Sequence, residues 1–491
     1  MDSNEEDSSV FHDQAQTPSE FLLSPGLDEN TLPGVSIIGA GYDPFAGYAS
    51  SHYVVDSSIF DWDDAQKDTF TYLDKTYEKP IAVNAIAYSD SSAYIVVGTD
   101  IQSYQERLSA SIKVDGSYGL FSGSISTEFT LESLTKSECE FSRFQQSIGT
   151  WALELVLNSK TRELLKETFR TELDNLDTSD ANACKTFFQK HGSHILTGVV
   201  VGGRALRTAS TNKYTVDRTY DLSVTAQEAF RFATAQVNLE ERVKYMLAVS
   251  SFNSNSSVTQ STVGGNPQLG SGVFAGENST FAEWTKSVIE DPAFVDFTAE
   301  NPFTPIWELC ANDANGNKVR SGLSTYYENH WAPEYADSLR YRPDYIDALA
   351  FAVGDSSTIP PVQGYQKIDV DLNQNAGGKY IYLCYHKASY SSFGNNKEAI
   401  TDLAIIFDDE RTPSGYTKMP TDLNEGAGGR YVYLCYKTSA YNPDTAILDI
   451  RVFSGHNADV APPYGFTKIN RDLNADAGGD YVFLGYAKRN I

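Results

Sequence analysis

Phe187-Phe188-Gln189-Lys190-His191-Gly192-Ser193-His194, followed after seven residues by Gly202-Gly203, is the stretch on which the reading of this chain turns. It predicts a helix over about residues 179–190 that stops at Gly192, a residue that ends helices by adopting conformations closed to others. Ile195 to Val201 then reads as a buried strand.

Two long segments flank this stretch, near residues 108–150 and 213–262. In the second, the even positions from Tyr214 to Phe232 include Val216, Tyr220, Leu222, Val224, Ala226, Phe230 and Phe232, while the odd positions are largely polar. That is the period of a strand with one apolar face. Leu222, Ala226, Ala229, Phe230, Ala233 and Val237 also fall on one stripe of a helix, so the same residues support both forms. Val243, Tyr245, Leu247 and Val249 alternate again, Ser250 to Thr262 continues as a polar strand, and a hairpin turn is expected near Glu240-Glu241. In the first segment Ile112, Val114, Tyr118 and Leu120 share one parity, and Phe121, Ile125, Phe129 and Leu131 share the other. The parity flips at Gly119-Leu120-Phe121, which predicts a bulge or bend.

A membrane-spanning strand needs about 9–11 residues, so each segment can supply a hairpin of two. Four strands cannot close a barrel, and an open sheet edge cannot face lipid. Insertion therefore requires a ring of subunits. Arg218 and Glu228 interrupt the apolar face of the second segment. A charge there costs least near the membrane interface.

Composition limits the alternatives. A chain of 491 residues predicts two or three domains. A hydrophobic content of 41% with 30 tyrosines and 26 phenylalanines indicates folded, sheet-rich material. The net charge of −27 argues against nucleic acid as a partner and against simple electrostatic docking on anionic lipid. Cys139, Cys184, Cys310, Cys384 and Cys435 are odd in number and widely spaced, which fits neither a disulfide framework nor a zinc site. Cys384 and Cys435 read as small buried hydrophobes. Residues 1–32 read as an acidic, disordered tail without the features of a signal peptide. No run of about 18 apolar residues exists, so any membrane entry must use strands.

The chain contains no Gly-x-Ser-x-Gly, His-Glu-x-x-His or Walker loop, so no catalytic residue is assigned and no cofactor is expected. His191 and His194 lack the further ligands a metal needs. Gly39-Ala40-Gly41 reads as a turn. A second helix is expected over Thr161 to Leu173, where Leu164, Leu165, Phe169 and Leu173 recur at helical spacing.

The last third repeats itself. Gly364-Tyr365-Gln366-Lys367, Gly415-Tyr416-Thr417-Lys418 and Gly465-Phe466-Thr467-Lys468 each lead into Asp-Leu-Asn, Ala-Gly-Gly and an apolar strand, at spacings of 51 and 50 residues. Further strands precede the copies at Ile346–Val353, Ile400–Phe407 and Ile447–Phe453. Such units cannot bury a face alone and should pack about a pseudo-three-fold axis. A β-prism satisfies this; a β-trefoil or short propeller is the runner-up. Asp369-x-Asp371-x-Asn373 faintly resembles a calcium loop, but Asx-turn chemistry explains it better. Lys367, Lys418 and Lys468 are candidate receptor contacts.

The Phe188…Gly192-Ser193-His194…Gly202-Gly203 pattern, lying between two convertible segments, resembles the membrane attack complex/perforin (MACPF) superfamily. Gly39-Ala40-Gly41-Tyr42-Asp43 and Trp284…Pro292…Pro305-Ile306-Trp307-Glu308-Leu309 resemble the ends of that domain. Ser193 replaces the usual threonine, and Cys184 stands where tyrosine is common. The repeats look like the β-prisms appended to some bacterial and fern MACPF toxins, including insecticidal ones. The resemblance implies an α+β domain over 33–343, with a bent, twisted four-stranded antiparallel sheet and two helical clusters that unfurl into hairpins. An all-β domain of three repeats would follow over 344–491. Gly202 and Gly203 would sit at the bend, and Ser193 and His194 would orient the strand–helix junction. The implied function is a pore-forming toxin or defence protein, released without a recognisable signal peptide. It would act as a homo-oligomer ring at a target-cell membrane, through a glycan, lipid or protein receptor. The alternative is a non-lytic membrane-binding or lectin-like module.

Overall fold

The computed structural model describes residues 30–88, 91–110, 120–130, 133–134, 136, 138–213, 221–276, 280–298, 301–334, 342–390, 396–463 and 465–489. Two long strands form its spine: β3 (Cys139–Leu155) and β4 (Gly198–Asn212), antiparallel along almost their whole length. Each changes its outer neighbour half-way. The outer edge of β3 pairs first with β2 (Ser91–Gly98) and then with β1 (Val83–Ala87). The outer edge of β4 pairs with β5 (Ser256–Val263) over Arg204 to Thr211 and with β6 (Ala293–Phe297) over Val199 to Gly202. Every level of the sheet is therefore four strands wide, and the neighbours change near Gly149 and Gly202.

Two connections leave the sheet at the same end. Between β2 and β3 the chain forms helices α1 (Ile101–Ala110) and α2 (Ser122–Glu128). Between β4 and β5 it forms α4 (Leu222–Ala233) and α5 (Leu239–Ser254), with α3 (Ala181–His191) lying earlier, before β4. The helical stripe wins over the alternating pattern here. Asp221 caps α4 by accepting from the amides of Ser223 and Val224. Ala226, Ala229 and Phe230 are buried. The hairpin turn expected at Glu240-Glu241 lies inside α5, and the polar strand begins at Ser256 rather than Ser250. In the first segment α2 replaces the expected strand after Phe121, which takes a left-handed conformation (φ +63°).

Two other expectations change for backbone reasons. The single helix over Thr161 to Leu173 is broken into Ser159–Glu163 and Glu167–Asp174. Its middle is drawn into pairing with another segment, since the Leu164 carbonyl accepts from Asp61 and the Lys166 amide donates to Ile59. The strand over Ile195 to Val201 is split at Thr197, whose amide donates to Pro302. His194–Leu196 belongs to a small sheet with Gly41–Tyr42, Val54–Asp56 and Phe303–Pro305. Thr31 bridges to Glu78, and Leu32 is buried.

Among the described residues from Tyr345 onward there are three three-stranded antiparallel sheets of matching order. Each pairs two long strands with one short strand, as in Tyr345–Gly354, Tyr380–Ala388 and Gln366–Lys367. They share one apolar core, to which Leu372, Leu423 and Leu473 contribute equivalent residues. Tyr345, Ala399, Ala446 and Leu448 join the core of the preceding region instead.

Candidate functional site

The glycine that ends α3 has φ +79°, and a Cβ there would lie 2.5 Å from the Tyr42 nitrogen. On the facing strand, a Cβ on Gly41 would lie 1.8 Å from the His191 carbonyl oxygen. Helix end and strand therefore touch backbone to backbone, which only glycine permits. Ser193 Oγ lies 3.0 Å from His194 Nδ1. His194 is buried among Phe303, Trp307 and Tyr327, and burial pushes its imidazole pKa down to about 3. His191 faces elsewhere: its Nδ1 is 2.6 Å from Asp56 and its Nε2 is 3.3 Å from Glu172. Among the described residues no group of three His, Cys, Asp or Glu side chains could hold a metal. Phe188 packs against Trp307, Tyr326 and Trp331.

Gly202 and Gly203 lie where β4 exchanges β5 for β6. Gly202 pairs with Gly149, next to a register shift in β3. A Cβ on Gly202 would sit 2.0 Å from the Ile148 carbonyl oxygen, and one on Gly203 would sit 2.4 Å from Val288. Gly264 and Gly265, at the end of β5, have φ +74° and +72°. Trp284 is fully buried and donates its indole N–H to the Gly264 carbonyl. Five glycines thus surround the place where the sheet exchanges its outer strands.

The two helical pairs cover opposite faces of the sheet below this exchange. Successive side chains of a strand alternate in direction, and Arg143 and Phe144 point to different pairs. Arg143, fully buried, forms an ion pair with Glu128 at the end of α2. Tyr104 of α1 donates to the other oxygen of Glu128 at 2.8 Å. Burial works against the Arg143 charge, but Glu128 beside it more than offsets this, and the Arg143 pKa is raised. The network continues through Gln145 and Ser147 to Asp296, which also accepts from Tyr48.

The opposite face is covered less completely. Phe144 packs on Phe230 of α4, with ring centroids 4.3 Å apart. The neighbouring Arg207 is 8% exposed and donates to the neutral side chain of Asn253 in α5 at 2.7 Å. Burial lowers its pKa to about 10, so it remains charged at neutral pH. A cavity of about 320 Å³ opens between these helices and the sheet, bounded by Arg207, Phe232, Val249 and Gln260. Glu228 is buried on α4, with Arg231 at 3.4 Å and its second oxygen unpartnered.

The predicted insertion residues divide between these pairs. Leu120, Phe121, Ile125 and Phe129 are buried with the first. Ala226, Phe230 and Val249 are buried with the second, Leu222 and Phe232 are partly buried, and Val224 and Leu247 are exposed. Tyr245 falls in α5. Ile112, Val114, Tyr118 and Tyr220 lie outside the described residues.

The described residues thus build a curled antiparallel sheet, four strands wide, with one helical excursion on each face. A sequence profile of the MAC/Perforin domain matches residues 25–335. This chain belongs to the MAC/Perforin family. Its fold is similar to that of GNIP1Aa from Chromobacterium piscinae, at 21% identity and a TM-score of 0.58 over 85% of this chain and 78% of that one. A putative cell invasion protein with a MAC/Perforin domain from Bacteroides thetaiotaomicron is 14% identical, with a TM-score of 0.41 over 63% of this chain and 64% of that one.

Beyond the MAC/Perforin domain, the three repeat lysines lie against their own sheets. Lys367, Lys418 and Lys468 stand 4.4, 3.3 and 3.5 Å from the ring centroids of Tyr382, Tyr433 and Phe483. Lys468 also donates to the Ala458 and Val460 carbonyls. The Asp-Leu-Asn motifs are Asx turns: Asp371, Asp422 and Asp472 each accept two backbone amides through one oxygen. The MAC/Perforin residues that sequence reasoning missed are Glu128, Arg143 and Arg207. An arginine in phase with Phe141 and Gln145 along a strand was the available signal, but its partner lies 15 residues away on a helix. The Gly264-Gly265 pair offered the same signal as Gly202-Gly203.

Proposed function

We propose that this MAC/Perforin chain is a pore-forming toxin or defence protein, with a mechanical rather than catalytic action. Its three C-terminal sheets form a β-prism that docks on a target membrane, copies assemble into a ring, and both helical pairs extend into hairpins of a shared barrel. Insect membranes are the first targets to examine.

One observation carries this reading. The strands flanking each helical pair are already hydrogen-bonded to one another, in register, where the helices begin. The β2–β3 ladder reaches Gly98 opposite Phe141. Continued residue by residue, it pairs Leu108 with Leu131, Val114 with Ile125 and Tyr118 with Phe121, and turns at Gly119-Leu120. The parity flip in the sequence is what such a hairpin requires, because it puts both apolar sets on one face. The β4–β5 ladder reaches Thr211 opposite Ser256. Continued, it pairs Tyr220 with Leu247, Leu222 with Tyr245, Val224 with Val243 and Phe230 with Val237, and turns at Ala233-Thr234. Again the two apolar sets share a face. Arg218 and Glu228 then bracket a band of about nine residues, close to the length of a spanning strand. Glu228 emerges near the tip, beyond the lipid, where its charge costs little. Glu128 falls on the polar face of its hairpin.

A disulfide tether between Ala209 of β4 and Ala226 of α4, which share one buried cluster, tests the reading. The oxidised protein should bind target membranes without releasing an entrapped dye, and reduction should restore release. Equal leakage from the oxidised form would show that α4 need not leave the sheet. Binding without leakage in the untethered protein would favour a non-lytic module.

A further inference from the structure

We infer that the cleft between the second and third C-terminal repeats is a binding site for a neutral glycan, and that it is the docking contact of this chain. The inference rests on the reading that this region binds the target surface. The cleft encloses about 640 Å³. Phe407 lines it, with the guanidinium carbons of Arg430 and Arg471 each 4.6 Å from the ring centroid.

The three repeats provide an internal comparison. Phe407, Arg430 and Arg471 occupy positions held by Val353, Lys379 and Thr421 between the first and second copies, and by Ser454, Asp480 and Val370 between the third and first. One backbone bond recurs at all three junctions and ties the copies into a cycle. Lys379, Arg430 and Asp480 donate their amides to the carbonyls of Glu425, Ala475 and Gln374. At the third-to-first junction the equivalent positions serve closure, Ser454 donating to Gln374 and Asp480 accepting from Asn375, whereas the second-to-third junction gathers an aromatic ring and two guanidinium groups around an open cleft.

The charges select the ligand class. Arg430 is already paired with Asp408 at 2.8 Å, and Arg471 with Glu410. Asp472 and Asp476 line the same cleft. Carboxylates outnumber the guanidinium groups, so an anionic headgroup is disfavoured. A sugar without charge meets every demand: its hydroxyls donate to the carboxylates and accept from the guanidinium groups that Phe407 holds in place, and its C–H face packs on Tyr481, which is 40% exposed.

The intact chain is tested on immobilised neutral and sialylated or sulfated oligosaccharides, and on vesicles with and without a neutral glycolipid. Binding should concentrate on neutral glycans. Arg471→Gln and Phe407→Ala should each weaken it at least tenfold, while Thr421→Ala, at the equivalent place in another cleft, leaves it unchanged. If Phe407→Ala fails to fold, Arg471→Gln alone decides. Preference for acidic glycans, no glycan binding at all, or binding indifferent to Arg471→Gln overturns the inference. Leakage of glycan-free vesicles with no glycan binding would overturn it while leaving pore formation intact. Glycan binding without leakage would do the reverse.

Discussion

A Cβ added at Gly202 has nowhere to go, because the nearest atom is a carbonyl oxygen of the adjoining strand, 2.0 Å away. Gly202→Ala is expected to lower stability by about 1–3 kcal/mol, the range for overpacking, read as a shift in the urea midpoint. His194 makes a prediction about pH. Its folded pKa, about 3, lies below the ordinary value near 6.5, so the unfolded chain binds more protons between these limits. Its contribution to stability is complete above about pH 6.5 and is lost as pH falls toward 3, at up to about 1.4 kcal/mol per pH unit. His194→Gln should flatten the stability profile between pH 7 and 5 relative to the natural chain. An unchanged slope would mean the imidazole is not held neutral. Both residues were legible in the sequence, since glycine and histidine have few reasons to stand where they do. Arg143 and Arg207 were not, because a buried arginine declares itself only once its surroundings are known.

The two helical pairs are held unequally. The first has a buried ion pair between Glu128 and Arg143. The second covers a charged arginine with a neutral partner and leaves a cavity beside it. A buried charge without an opposite partner is costly. Amides of α4 and α5 should therefore exchange with deuterium faster than those of α1 and α2. Glu128→Gln should reverse the order. Breaking a buried pair costs about 3–5 kcal/mol, so exchange in α1 and α2 should rise about a hundredfold or more. The sequence carried both forms of these segments at once. Alternation and a helix stripe coexist from Leu222 to Phe230, and no local rule chooses between them. The choice is made by the sheet, whose apolar residues, such as Phe144 and Ala205, receive the stripe.

At the scale of the molecule, Arg489 ties the end of the last repeat to the start of the first helical pair. Its guanidinium meets Asp100 at 2.9 Å and Asp444 at 2.9 Å, and Asp100 also accepts the Ser103 amide in the first turn of α1. Arg489→Gln should lower the first thermal unfolding transition, read by calorimetry. An unchanged transition would mean that this tie does not hold the two regions together. The three-fold repetition was plain in the sequence, whereas this tie was invisible, since its partners stand 389 positions apart.

The strand order at the lower end of the sheet, β2, β3, β4 and β5, has an arithmetic consequence. In the proposed ring each copy adds one quartet, and its two outermost margins can be satisfied only by those of adjoining copies. The circumference is then counted in fours whatever the number of participants. Loss of a single member leaves a gapped arc with raw margins, not a narrower sealed tube.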